Sequence, residues 1–206
     1  MPAPLRRCLL LGIVALAAPA AHADYLWLAR EVGQPATAYL SEFQPTEHLS
    51  PGGLLQPQAL LAEGKTQPLQ VQGDALALSG VTSGDLRASA RRANGKELTL
   101  YEAREGRHET RALNDLELVP TSADGNTFAL HWKGTVVAAS QVNVYTSEQW
   151  TRTLKPAADG SITLETPFPG RYVLQVTAQV NGAATVDGQR YDSVVHVATR
   201  SFTVPQ

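Results

Sequence analysis

The sequence predicts an all-β fold built as two β-sandwich-like lobes. Long hydrophobic stretches with a 3.6-residue period are nearly absent. Five Asn-Gly or Asp-Gly pairs recur, at Asn94-Gly95, Asp124-Gly125, Asp159-Gly160, Asn181-Gly182 and Asp187-Gly188. Such pairs tolerate the positive φ angles that tight hairpins require. Between them lie short runs of alternating apolar and polar residues, the period of half-buried antiparallel strands.

The first element in chain order is a leader, residues 1–23. Arg6 and Arg7 precede an apolar run from Cys8 to Ala18, and Ala21-His22-Ala23 follows. A basic start, a short apolar run and small residues at −3 and −1 make a secretory signal peptide. The run is too short to anchor in a bilayer, and no second apolar stretch of about 20 residues follows. The expected address is the bacterial periplasm. Cys8 is the only cysteine, so the mature chain forms no disulfide. Cys8 opens the apolar run rather than following it, which speaks against a lipid anchor.

Removing Arg6 and Arg7 leaves 15 basic against 19 acidic residues, a net charge of about −4. Without a basic stripe, nucleic acid is excluded as an expected partner.

Strands are expected near residues 25–30, 36–43, 74–79, 86–92, 97–103 and 115–119. Leu54–Glu63 reads as a short helix in which Pro57 fits only near the first turn. Asp85–Ala93 reads as extended, because Leu86, Ala88 and Ala90 alternate with Arg87 and Ser89. The turn-forming stretch at 120–126 divides the chain into an N-terminal lobe, 24–123, and a C-terminal lobe, 124–206. In the second lobe Phe128, Leu130 and Trp132 share one strand face, with Ala129 and His131 on the other. Further strands are expected near 138–146, 150–155, 160–165 and 191–204. Pro169-Gly170 turns the chain into Tyr172–Val180, whose odd and even positions separate apolar from polar.

Two stretches carry a family resemblance. DGSITLETPFPGRYVLQV (159–176) resembles the transthyretin-like or carboxypeptidase-regulatory type of β-sandwich. LTLYEAREGRHETRALNDLELVPTSADGNTFALHWKG (98–134), with YDSVVHVATRSFTV (191–204) and the opening DYLWLAR (24–30), resembles the DUF4198 family of exported bacterial proteins. That family is similar to periplasmic components of nickel and cobalt uptake systems. The resemblance implies two β-rich lobes and a periplasmic binding or accessory protein. It further implies transition-metal acquisition (Ni, Co or Cu) beside an envelope transport protein. Family members often begin with a histidine before Trp-Leu-Glu. Here His22 leaves with the leader, and Ala29-Arg30 replaces the acidic position.

The metal candidates are His48, His108, His131 and His196, none paired at His-x-His or His-x-x-x-His spacing. A metal site needs several ligands converging in space. Glu47-His48 sits in a loop ending in Ser50-Pro51-Gly52-Gly53. The charged stretch Tyr101–Glu109 reads as an exposed anion clamp or as a solvated strand end. Trp27, Trp132 and Trp150 read as a carbohydrate platform or as packing residues. The chain has no G-x-S-x-G elbow, no H-E-x-x-H, no cysteine nucleophile and no phosphate loop. The expected function is non-enzymatic binding, with a structural or protein-interaction module of the envelope as the alternative.

The mature protein should begin at Asp24. Intact-mass analysis after export from a bacterial host checks this, and a chain retaining Cys8–Ala18 would refute the leader.

Overall fold

The computed structural model describes residues 24–31, 34–43, 48–61, 64–79, 84–139, 141–180 and 182–206. The expected leader and Glu47 lie outside the described residues. The fold is all-β. The strands are β1 (Tyr25–Ala29), β2 (Ala36–Ser41), β3 (Leu55–Leu60), β4 (Thr66–Pro68), β5 (Gln70–Gln72) and β6 (Ala75–Leu78). Next come β7 (Leu86–Asn94), β8 (Glu97–Glu105), β9 (Leu116–Pro120), β10 (Thr127–Trp132), β11 (Thr135–Val137) and β12 (Val142–Thr146). The last are β13 (Thr151–Leu154), β14 (Ile162–Thr163), β15 (Gly170–Val180), β16 (Ala184–Val186), β17 (Gln189–Tyr191) and β18 (Ser193–Val204).

A central eight-stranded sheet runs in the order β13-β12-β15-β18-β8-β7-β3-β4. Residues 24–123 supply β3, β4, β7 and β8; residues 124–206 supply the other four. The two sets meet where β18 pairs with β8, a parallel ladder running from Ser193↔Glu97 to Ser201↔Glu105. A four-stranded sheet, β1-β2-β6-β5, packs on one face of the central sheet. A second sheet packs on the other face: β10 pairs with β9 along one edge and with β11 and β14 along the other.

Strand parity sorts the side chains between two cores. On β15 and β18, Tyr172, Leu174, Val176, Ala198 and Phe202 face Leu116, Leu118, Phe128 and Leu130. Val173 and Val197 face the opposite way, toward Leu26, Leu28, Leu40 and Leu76. Each fully buried aliphatic or aromatic side chain contributes about 1.5–3 kcal/mol. The two cores therefore clamp the central sheet between them.

Where a helix is expected at 54–63, Leu55–Leu60 form strand β3. Pro57 has no N–H to give, but its carbonyl accepts the Leu69 amide at 2.9 Å. A register shift between Leu55 and Gln58 fits Gln56 and Pro57 into the pairing with β7 as a bulge. The extended reading of 85–93 matches β7. The short strands β4, β5, β11, β16 and β17 have no counterpart in the sequence reading. Asp187-Gly188, with φ of 51° and 80°, makes the tight turn between β16 and β17.

The Pro169-Gly170 corner is fixed by two devices. The Tyr172 phenol donates to the Phe168 carbonyl at 2.8 Å and accepts the Phe168 amide at 3.1 Å. Gly170 sits at φ +113°, and a Cβ there would lie 2.3 Å from Ser147 Oγ. That hydroxyl accepts the Arg171 amide at 3.1 Å.

A buried charge cluster lies between the central sheet and β9. Arg87, Arg104 and Arg200 are direct cross-strand neighbours on β7, β8 and β18. All three side chains are at most 2% exposed. Arg104 donates to Asp85 Oδ2 from Nε at 3.0 Å and Nη2 at 2.5 Å, and also pairs with Glu117. Arg87 donates from Nε to both Glu117 oxygens, at 3.2 and 3.3 Å, and from Nη1 to Glu109 Oε2 at 2.8 Å. Arg200 donates from Nε to the Leu118 carbonyl at 2.6 Å and lies over the Phe128 ring. Burial and the neighbouring Arg104 charge push the Arg200 guanidinium well below its ordinary pKa. Burial works to raise Asp85 and Glu117 as well. Their arginine partners and backbone amides outweigh it, so both carboxyls sit below their ordinary values.

Two variants test these devices. Gly170→Val should lose about 1–3 kcal/mol through forced backbone strain; an unchanged midpoint in urea would show that the corner tolerates a side chain. Arg104→Met should lose about 3–5 kcal/mol at pH 7, because Asp85 and Glu117 stay buried without their shared cation. With lowered folded-state pKa values, these carboxylates stabilise the fold above their unfolded values of about 4 and lose that contribution on acidification. The Arg104→Met penalty should therefore shrink toward pH 3, which denaturant unfolding at several pH values measures.

Candidate functional site

The four histidines do not converge. His48 stands on the outer face of the β1-β2-β6-β5 sheet, with Nδ1 3.3 Å from Asp74 Oδ2. His108 is exposed, with Nδ1 3.2 Å from Asp124 Oδ2. His131 on β10 has Nδ1 3.4 Å from the Gly134 carbonyl oxygen. His196 is buried on β18, with Nδ1 3.0 Å from Glu102 Oε2 and its ring 4.7 Å from that of Trp132. Among the described residues, no three His, Cys, Asp or Glu side chains are grouped to hold a metal ion.

The charged stretch 101–109 is neither a surface clamp nor a solvated strand end as far as Glu105. Its first five residues complete β8 and are buried. Arg104 joins the buried cluster. Glu102 accepts the Asp115 amide at 2.8 Å and the Leu116 amide at 3.2 Å, besides meeting His196. Burial raises the Glu102 carboxyl above its ordinary range despite His196. These contacts tie the start of β9 to the central sheet. The three tryptophans do not form one platform. Trp132 packs against His196, Trp150 meets Phe168, and Trp27 lies under other aromatic rings.

A half-open groove of about 630 Å³ lies on the outer face of the β1-β2-β6-β5 sheet. Strand parity builds it. Leu26, Leu28, Leu40 and Leu76 point inward to the core, so Trp27, Ala29, Thr37, Tyr39 and Ala77 point outward. The registers Ala29↔Thr37 and Thr37↔Ala77 lay three small residues in a row across adjacent strands. The next row, Trp27↔Tyr39, is aromatic. A floor of small side chains beside a row of large ones makes a trough.

Above the aromatic row, Phe43 meets Trp27 edge-on at 4.8 Å, and His48 packs on Tyr39 at 4.0 Å. Trp27 and Tyr39 rings are 4.8 Å apart. The indole N–H of Trp27 donates to Ser41 Oγ at 3.0 Å. The Phe43 amide donates to the Tyr25 phenol oxygen at 2.6 Å, and burial pushes that phenol's pKa up. The Leu49 amide donates to the Leu40 carbonyl at 2.8 Å. Phe43 and Leu49 are thus each hydrogen-bonded to the sheet.

Glu31, Gln34, Gln72 and Arg171 complete the lining with polar groups. Arg171 donates to Glu31 Oε1 at 2.6 Å. Among the described lining residues, one guanidinium and one carboxylate are joined to each other.

Of the described sequence candidates, His48 and Trp27 belong to this groove. Tyr39, Thr37, Gln72 and Arg171 were not singled out, because they meet only through strand register. The alternation of Ala36, Ala38 and Leu40 against Thr37 and Tyr39 is the one signal in the sequence that gives their common face. No protein-family model, curated protein or solved structure matches this chain.

Proposed function

We propose that this is an exported, periplasmic, non-enzymatic binding or accessory protein whose ligand occupies the groove on the β1-β2-β6-β5 sheet. The observation that carries the reading is the trough itself. It combines an aromatic row, a floor of small side chains and several polar groups in a volume of about 630 Å³. Binding pockets of that size and mixed lining are the usual sites for small molecules. The aromatic row and the small-residue floor sit on paired strands, which lowers the ordering loss on binding.

The reading accords with the sequence resemblance to exported DUF4198 proteins. Its metal-acquisition form would draw on His48, the one groove histidine, with Asp74 beside it at 3.3 Å. Two such groups are fewer than a closed transition-metal site uses, so the trough rather than an ion carries the proposal.

The test is a thermal-shift screen of a diverse small-molecule library against residues 24–206 and a Thr37→Trp variant. Thr37 lies at the centre of the small-residue row, so tryptophan there should fill the trough. A ligand at a hundredfold excess over its Kd adds about 2.7 kcal/mol of stability. For a chain of this size that should raise the midpoint by several degrees in the wild type and not in the variant. Circular dichroism must show the variant folded. A screen with no compound lost on Thr37→Trp would overturn the reading.

A further inference from the structure

We infer that the ligand class of this groove is a neutral oligosaccharide of two or three rings. This rests on the binding reading above and specifies its chemistry.

Charge is the first argument. The guanidinium of Arg171 is matched by Glu31 at 2.6 Å within the same lining. An anionic or a cationic ligand would meet a countercharge that is already matched, and the like-charged member of the pair would repel it. A neutral ligand leaves the pair intact and uses its remaining hydrogen-bonding positions. A guanidinium has five N–H donors and a carboxylate about four acceptor positions, so one shared bond exhausts neither.

The type of polar group is the second. Gln34, Gln72, Glu31, Arg171 and His48 all end in planar groups with donors or acceptors in fixed directions. Each sugar hydroxyl both donates and accepts, and neighbouring hydroxyls present two such groups side by side. Planar amides, carboxylates and guanidinium groups match that pattern. A purely apolar ligand would leave them desolvated without partners, at a penalty for each.

Shape is the third. The row Ala29–Thr37–Ala77 is low, and the half-buried rings of Tyr39 and Phe43 stand beside it as an apolar wall packed on buried Trp27. A pyranose ring has hydroxyls around its rim and a face of C–H groups. It can set that face against the aromatic wall while its rim meets the amides. The groove's volume of about 630 Å³ exceeds that of one such ring, so adjoining rings would continue along the small-residue row.

The experiment titrates residues 24–206 with trisaccharides of glucose, N-acetylglucosamine and mannose. Binding is read by saturation-transfer NMR and by calorimetry. At least one sugar should bind saturably. Thr37→Trp should abolish the binding and Gln72→Ala should weaken it about tenfold. Affinity should change less than twofold between about 0.05 and 0.5 M salt, because no ion pair forms with the ligand. If sugars fail but another compound gives a Thr37→Trp-sensitive shift, the groove remains a binding site and the saccharide class is wrong. If no compound binds at the groove, both readings fall. Sugar binding that survives Thr37→Trp would place it elsewhere and overturn the inference.

Discussion

Three arginines side by side in the middle of a sheet set the strictest constraint on this structure. Arg87, Arg104 and Arg200 occupy directly opposed positions on three adjacent strands, and like charges so placed repel. The row is tenable only because Asp85, Glu117 and Glu109 bring carboxylates to it from the ends of strands and the segment after β8. A buried cluster of this kind adds little over a well-packed apolar core, while removing one member leaves its partners stranded. Its main consequence is register. Sliding β18 by two residues along β8 would put Ala198 or Phe202 opposite Arg104 and carry Arg200 away from Glu117 and Leu118. The parallel β8–β18 ladder that joins the two halves of the chain is thus fixed by charge as well as by packing.

Side chains of the same strand also close the layer above. Thr199 donates its hydroxyl to the Leu26 carbonyl and Ser201 to the Leu28 carbonyl, each at 2.6 Å. These carbonyls belong to β1, an edge strand of its sheet. Polar groups at a sheet edge need partners and invite pairing with other chains. Here β18 supplies partners from below, so β1 lies across the central sheet with its edge carbonyls satisfied. Leu26 and Leu28 are thereby committed to the core. Trp27 and Ala29 are committed to the outer face where the groove lies.

The groove therefore inherits its rigidity from the layers beneath it. Tyr25 helps on both counts: its ring stacks on Tyr145 of the central sheet, and its phenol oxygen holds the Phe43 amide. Arg171, at the start of β15, donates to the Leu28 carbonyl at 3.5 Å and to Glu31, linking the central sheet to the groove lining. A proposed ligand would meet a surface assembled from the first 80 residues together with one residue from the second half of the chain.

By itself the sequence determined the all-β class, most strand positions and the hairpin turns at Asn94-Gly95, Asp124-Gly125 and Asp187-Gly188, because these depend on local periodicity and backbone freedom. Alternation in Tyr172–Val180 and the Pro169-Gly170 corner were legible for that reason. The 54–63 segment reads as helical in isolation because the bulge against β7 and the Pro57 carbonyl contact with Leu69 lie outside the segment itself. The charges of 101–109 looked solvated because nothing local reveals that Arg104 lies beside Arg87 and Arg200. β18 is buried on both faces, so its alternation carries no clear inside and outside. The tertiary structure alone decided that the histidines stay apart and that Trp27, Thr37, Tyr39, Gln72 and Arg171 share one groove. Such a site is set by the pairing of distant strands, and register between strands is written in cross-strand contacts rather than in any single stretch of residues.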